Sequence, residues 1–124
     1  MKHQQTILTA LLIALTGALS PLLADNAQGY SIKDVMKALH KGDDALCKKI
    51  AKGEGSKEEF RTLVNYYSAL PKTEPPKGDA KAWREKANAL LDAAKALEAG
   101  KPGALDQFKA AVNCKACHSA HKAE

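Results

Sequence analysis

The chain has 124 residues, with 19 Lys and Arg against 14 Asp and Glu, 45% hydrophobic residues and 5% aromatic ones. That length points to one domain, and the hydrophobic fraction is that of a globular protein with no repeat array. Three cysteines allow at most one pair, which excludes a disulfide scaffold, and six aromatics leave a small core that needs some other support, such as a cofactor.

Met1 to Ala24 reads as a secretory signal. Lys2 and His3 give a short basic start, and the run Ile7 to Leu19 carries no charge. Ser20 and Pro21 break any helix, and Ala24 supplies the small residue before a cut. The 13-residue apolar run is shorter than the ~20 residues needed to span a bilayer. An exported, periplasmic protein without a membrane span is therefore expected, with residues 25–124 as its one domain. Cleavage removes Lys2 and no acid, leaving 18 basic and 14 acidic side chains. Lys48, Lys49 and Lys52 form one basic cluster and Lys109, Lys115 and Lys122 another; they are either a solvated helical surface or a docking patch for an acidic partner. Nucleic acid is not an expected partner, because aromatic and Gly-Arg platforms are lacking.

Four helices are expected and no strand. The first runs from Ser31 to Lys52, with Ile32, Val35, Met36, Leu39, Leu46 and Ile50 on one stripe. The phase is kept across Gly42, so one helix with a weak point at Gly42-Asp43-Asp44 is expected. Ser56 to Glu59 is a capping box that opens the second helix, whose inner face carries Phe60, Leu63, Val64, Tyr67 and Leu70 up to Pro71. Asp79 caps the third, with Trp83, Ala87, Leu90, Leu91, Ala94 and Leu97 inward and Gly100 at its end. Pro102 suits the first turn of a fourth helix, which carries Leu105, Phe108, Ala111 and Val112 onward to the C-terminus. Short connections make neighbours antiparallel, so the expected fold is all-α, an antiparallel four-helix bundle.

Near the end of the fourth helix stands Cys114-Lys115-Ala116-Cys117-His118, the C-x-x-C-H signature of c-type haem attachment. Two thiols one helical turn apart reach the two vinyl groups of one porphyrin, and the next residue offers an imidazole to the iron from the same side. One covalent haem c, tethered by Cys114 and Cys117 with His118 as proximal iron ligand, is the expected cofactor. Haem also supplies the flat apolar surface that an aromatic-poor core lacks. Three alternatives were weighed against it. A thioredoxin-like dithiol requires a βαβ setting. A zinc site would use residues 114, 117, 118 and 121 on one helical face, although structural zinc sites draw ligand pairs from separated segments. A Cys114–Cys117 disulfide would be strained within a helix.

An export signal, four helices and a C-terminal Cys-Lys-Ala-Cys-His together resemble the class II cytochromes c, the cytochrome c′ group, over residues 25–124. The resemblance implies that the first helix passes over the distal haem face, where low-spin members place a methionine and high-spin, gas-binding members an apolar residue. The stretch Ile32-Lys33-Asp34-Val35-Met36-Lys37 looks like the low-spin version, with Met36 as distal ligand. The chain is shorter than family members between the second and third helices, which puts their dimer contacts in question and leaves a homo- or heterodimer open.

The residues also admit other readings of the distal side. Met36 on an apolar stripe is equally a core residue. Antiparallel first and last helices would set it level with His118. Cys47, 11 residues on, returns to nearly the same face but lies roughly 16 Å further along a straight helix. A break at Gly42 would allow it to act as a thiolate ligand, which would lower the potential. His40, one turn after Met36, would give bis-histidine ligation. His121 is expected to meet solvent or a haem propionate. The expected function is electron transfer by an exported mono-haem cytochrome with a redox partner protein. The alternatives are a haem protein binding a small gas (nitric oxide or carbon monoxide) and a haem subunit of a larger redox complex. No nucleophile, base and acid set is visible, so turnover of an organic substrate is not expected.

Overall fold

Ser31 opens the first ordered helix. Its hydroxyl accepts from the Asp34 amide at 3.1 Å while the Asp34 carboxylate accepts from the Ser31 amide at 2.9 Å, a reciprocal cap. The computed structural model describes residues 29–123; the expected leader, residues 1–24, lies outside them. Helix α1 (Ile32–Val35) runs without interruption into a π-helical turn, Met36–His40. Then follow α2 (Leu46–Ala51), α3 (Lys57–Tyr67), a 3-10 turn (Leu70–Lys72), α4 (Ala80–Glu98), α5 (Ala104–Ala111) and α6 (Cys114–His121). No strand occurs among the described residues, and none of their helices is long and apolar enough to cross a membrane.

The protein is all-helical, as expected, but the first and last of the four expected helices each divide. The first breaks over residues 41–45. Lys41 is extended, and Gly42 has φ +90°, a left-handed conformation that glycine adopts without a Cβ penalty. Lys48 Nζ then donates to the Gly42 carbonyl at 2.9 Å, tying α2 back to the break. The hydrophobic phase survives because Leu39 before the break and Ile50 after it are buried in the same core.

The last helix breaks at Val112 and Asn113. The Asn113 side chain accepts from the Ala116 amide at 3.0 Å and starts α6 afresh, so Cys114 is the first residue of a new helix rather than part of the last turns of an old one. Pro102 also falls outside the helix expected around it; Gly103, with φ +76°, precedes α5.

The local signals for α3 and α4 are realised. Ser56 and Glu59 cap each other at 3.2 and 3.0 Å, and Lys49 Nζ reaches the same carboxylate at 2.9 Å, joining α2 to α3. The Lys49 ammonium and the Ser56 amide hold the Glu59 carboxyl below its usual range. Asp79 caps α4 through the Ala82 amide. Trp83, Ala87, Leu90, Ala94 and Leu97 are buried along α4, and Leu91 is half-buried. Alanines on this helix let neighbours approach closely, and α4 packs against α3, α5 and the 3-10 turn as the centre of the molecule.

Tyr67, Phe108, Leu39 and Leu63 are among the largest fully buried side chains. Phe108→Ala is expected to cost about 3–5 kcal/mol by leaving a cavity. Ser56→Ala should cost about 1 kcal/mol through the lost cap. Urea unfolding followed by circular dichroism measures both, and a Phe108 effect smaller than the Ser56 effect contradicts this description of the core.

Candidate functional site

α4 provides the floor of a cleft and α6 one of its walls. Trp83 is buried and its indole N–H donates to the Leu70 carbonyl at 3.1 Å, which fixes the ring as a flat apolar surface. Above it opens a cavity of about 400 Å³, within the range of small-molecule and cofactor sites. One wall is α1 with its π-helical turn, presenting Ile32, Met36 and His40. The facing wall is α6, presenting Cys117, His118 and His121. A second cavity of about 190 Å³ adjoins the first and shares Met36, Trp83 and Cys117 with it. Met36 and His40 both belong to the π-helical turn, a geometry found chiefly as single turns and often at functional sites.

Four of the six candidate residues thus line one cleft: Met36, His40, Cys117 and His118. Cys114 is exposed at the start of α6 and is not part of the lining; its Sγ lies 3.6 Å from the Val112 carbonyl. Cys47 is 4% exposed, in the core and away from the cleft walls. Burial pushes the Cys47 thiol up, with Cys114 adding to the shift, so it is held protonated. Burial also pushes Cys117 up. All three thiols are free of disulfides.

His40 is the second polar group in the cleft wall with a defined partner. Its Nε2 lies 2.9 Å from the Tyr67 hydroxyl, which comes from the fully buried tyrosine of α3. Burial holds His40 well below the usual imidazole range, at about 4, and His118 adds to the shift, so the two imidazoles feel each other across the cleft. Burial likewise raises Tyr67 far above the usual phenol range, with smaller contributions from Cys47 and Cys114. Both members of the pair are neutral.

His121 is not open to bulk solvent: it is 3% exposed, within the lining of the cleft. Its Nδ1 lies 3.1 Å from the Lys77 carbonyl; a carbonyl can only accept, so Nδ1 carries the hydrogen. Its Nε2 accepts from Lys86 Nζ at 3.3 Å, and its ring meets Trp83 edge-on at 5.4 Å. Gly78, at φ +84°, passes so close that an added Cβ would strike the Ala120 carbonyl and come within 2.9 Å of His121 Nδ1. The proline-bearing loop is thereby pressed onto the end of α6.

Chemically, the cleft joins an apolar floor to one thioether, three imidazoles and a thiol, with a second free thiol one turn away on α6. No group of three or more His, Cys, Asp or Glu side chains gathers to hold a bare metal ion among the described residues. Cys117 and His118 stand in the lining side by side, while Cys114 lies outside it at the start of α6. Exposed Lys33, Lys37, Lys41 and Lys122 edge the mouth, with no acidic residue in the lining. Tyr67, Trp83 and this lysine edge escaped the sequence reading. Their signals are only apolar stripe positions and an i, i+4, i+8 spacing of lysines. Comparison with family models, with curated proteins and with solved structures returns no match.

His121→Ala should destabilise the protein by about 1–3 kcal/mol, because it leaves the Lys77 carbonyl without its donor. Gly78→Ala should cost a similar ~1–3 kcal/mol through backbone strain at positive φ. Hydrogen exchange should show the loss of protection concentrated in α6. Protection lost evenly over α3, α4 and α6 is the contrary result.

Proposed function

We propose that the protein is an exported mono-haem c-type cytochrome working in electron transfer, a class II cytochrome c-like four-helix bundle made periplasmic by a leader cleaved near Ala24. The observation that supports this most is that Cys117 and His118 of the C-x-x-C-H helix face Met36 and His40 across one apolar cleft. Haem, when bound, supplies a one-electron ferric–ferrous couple. The residues do the rest. The Cys114 and Cys117 thiols would hold the haem covalently, as thioethers to its two vinyl groups. His118 would be the iron ligand supplied by α6, and Met36 the candidate donor from the other wall of the cleft. Trp83, Ile32 and the core beneath them exclude water, which limits reorganisation when charge changes.

The lysine-edged mouth suits acidic groups, both the carboxylates of the cofactor and those of a redox partner protein. The reading assigns no turnover of an organic substrate. It takes a stable sixth ligand as the mark of an electron carrier; a ligand that yields to carbon monoxide would instead mark a gas-binding protein.

The test is the mass of the full chain, exported from a bacterial host that attaches haem c, under denaturing conditions. The expected result is the polypeptide without residues 1–24 plus one haem. Cys114→Ala combined with Cys117→Ala should abolish the covalent attachment, and a wild-type mass equal to the bare polypeptide overturns the reading. A second expectation concerns charge. Oxidation of the ferrous protein by ferricyanide should slow several-fold as salt rises from low to physiological ionic strength, and Lys37→Glu should slow it further. Rates indifferent to both changes remove the lysine edge from the function.

A further inference from the structure

We propose that Tyr67 selects the sixth iron ligand: its hydroxyl occupies Nε2 of His40 and so leaves Met36 as the available donor opposite His118. The inference rests on the haem reading above and adds to it a positioning residue on a third element, α3. Two side chains of the π-helical turn face the cleft with donor atoms, the Met36 thioether and the His40 imidazole. They sit four residues apart and compete for one position.

The hydrogen bond between Tyr67 and His40 decides between them. It spans 2.9 Å and joins a fully buried phenol to a half-buried imidazole, both neutral. Either group could be the donor. If His40 donated through Nε2–H, the phenolic hydrogen would be left in the core, since His40 is the one hydrogen-bond partner of that hydroxyl among the described residues. If Tyr67 donates, the phenolic hydrogen and the Nε2 lone pair are satisfied together. The second arrangement places the imidazole hydrogen on Nδ1 and engages the Nε2 lone pair that would have to bind iron. Met36 carries no such group to be engaged, and it lines both cavities together with Trp83 and Cys117.

The ring geometry fits a lock rather than a chance contact. The Tyr67 and His40 rings lie 5.7 Å apart and tilted by 42°, so the imidazole is steered by packing as well as by the hydrogen bond. Tyr67 is held in turn by the core around Leu63 and Leu70. A mobile surface donor could not impose a tautomer; a tyrosine with no exposed surface can.

The experiment compares the haem-loaded full chain with its Tyr67→Phe variant. The wild type should be low-spin, with the long-wavelength charge-transfer band of methionine-ligated ferric haem. Tyr67→Phe should keep the mass and the helical content, lose that band while remaining low-spin, and shift to a lower potential, since methionine–histidine ligation raises it. Adding His40→Ala to Tyr67→Phe should restore the band, a rescue that a merely structural tyrosine would not show. The proposal is overturned if Tyr67→Phe leaves band and potential unchanged. It is also overturned if the wild type lacks the band and His40→Ala alone turns it high-spin. Should Tyr67→Phe fail to fold, nitrogen-15 NMR of the wild-type histidines decides: hydrogen on Nδ1 of His40 supports the lock, and hydrogen on Nε2 overturns it. A chain that carries no haem overturns the functional reading and is recognised by mass alone, apart from any spectral outcome.

Discussion

Helix α6 holds the Cys114-Lys115-Ala116-Cys117-His118 sequence, yet of its eight residues only His121 is buried. A helix this short and polar cannot fold by propensity or by a hydrophobic stripe. What secures it is a polar anchor: one imidazole spends a donor on the Lys77 carbonyl, an acceptor on Lys86 and an edge on Trp83. Buried polar groups are costly unless every bonding position is used, and here each is. The cleft depends on that anchor. If α6 swung away from α4, Cys117 and His118 would no longer face Met36 and His40.

The opposite wall is held by different means. Val35 and Leu39 are fully buried beneath α1 and its π-helical turn, so the apolar side of that segment points into the core. Residues 36 and 40 are left to face α6. One segment is thus fixed by oil and the other by hydrogen bonds, and the space between them is lined by both kinds of surface. A core with six aromatics can be this small because alanines on α4 draw the helices close and because Trp83 is spent on the cleft floor.

Features set by neighbours in sequence were legible before the structure. The capping box at Ser56 and Glu59, the Asp79 cap and the inner face of α4 all follow from residues within one or two turns. The weak point at Gly42 was legible too, but not that the helix divides there, because hydrophobic phase is preserved whether a helix continues or folds back on the same core. Asn113 was read through as helix interior, since its capping role appears only once the backbone before it turns. The candidate residues Met36, His40, Cys117 and His118 could be named from spacing, but their convergence is a property of packing. Tyr67 and His40 are 27 residues apart and Lys86 and His121 are 35 apart, so nothing local announces either contact.

The lysine edge of the cleft bears on how copies of this protein meet each other. Lys33, Lys37, Lys41 and Lys122 stand exposed around the mouth, and the one acid close to them, Asp34, lies outside the lining. Two molecules cannot approach mouth to mouth without pressing one positive rim on another, and such repulsion acts over about a Debye length. Encounter of two copies through this face would therefore be slow in dilute salt and quicken as ions screen the rims. The four side chains that edge the cleft also keep its openings apart from one another.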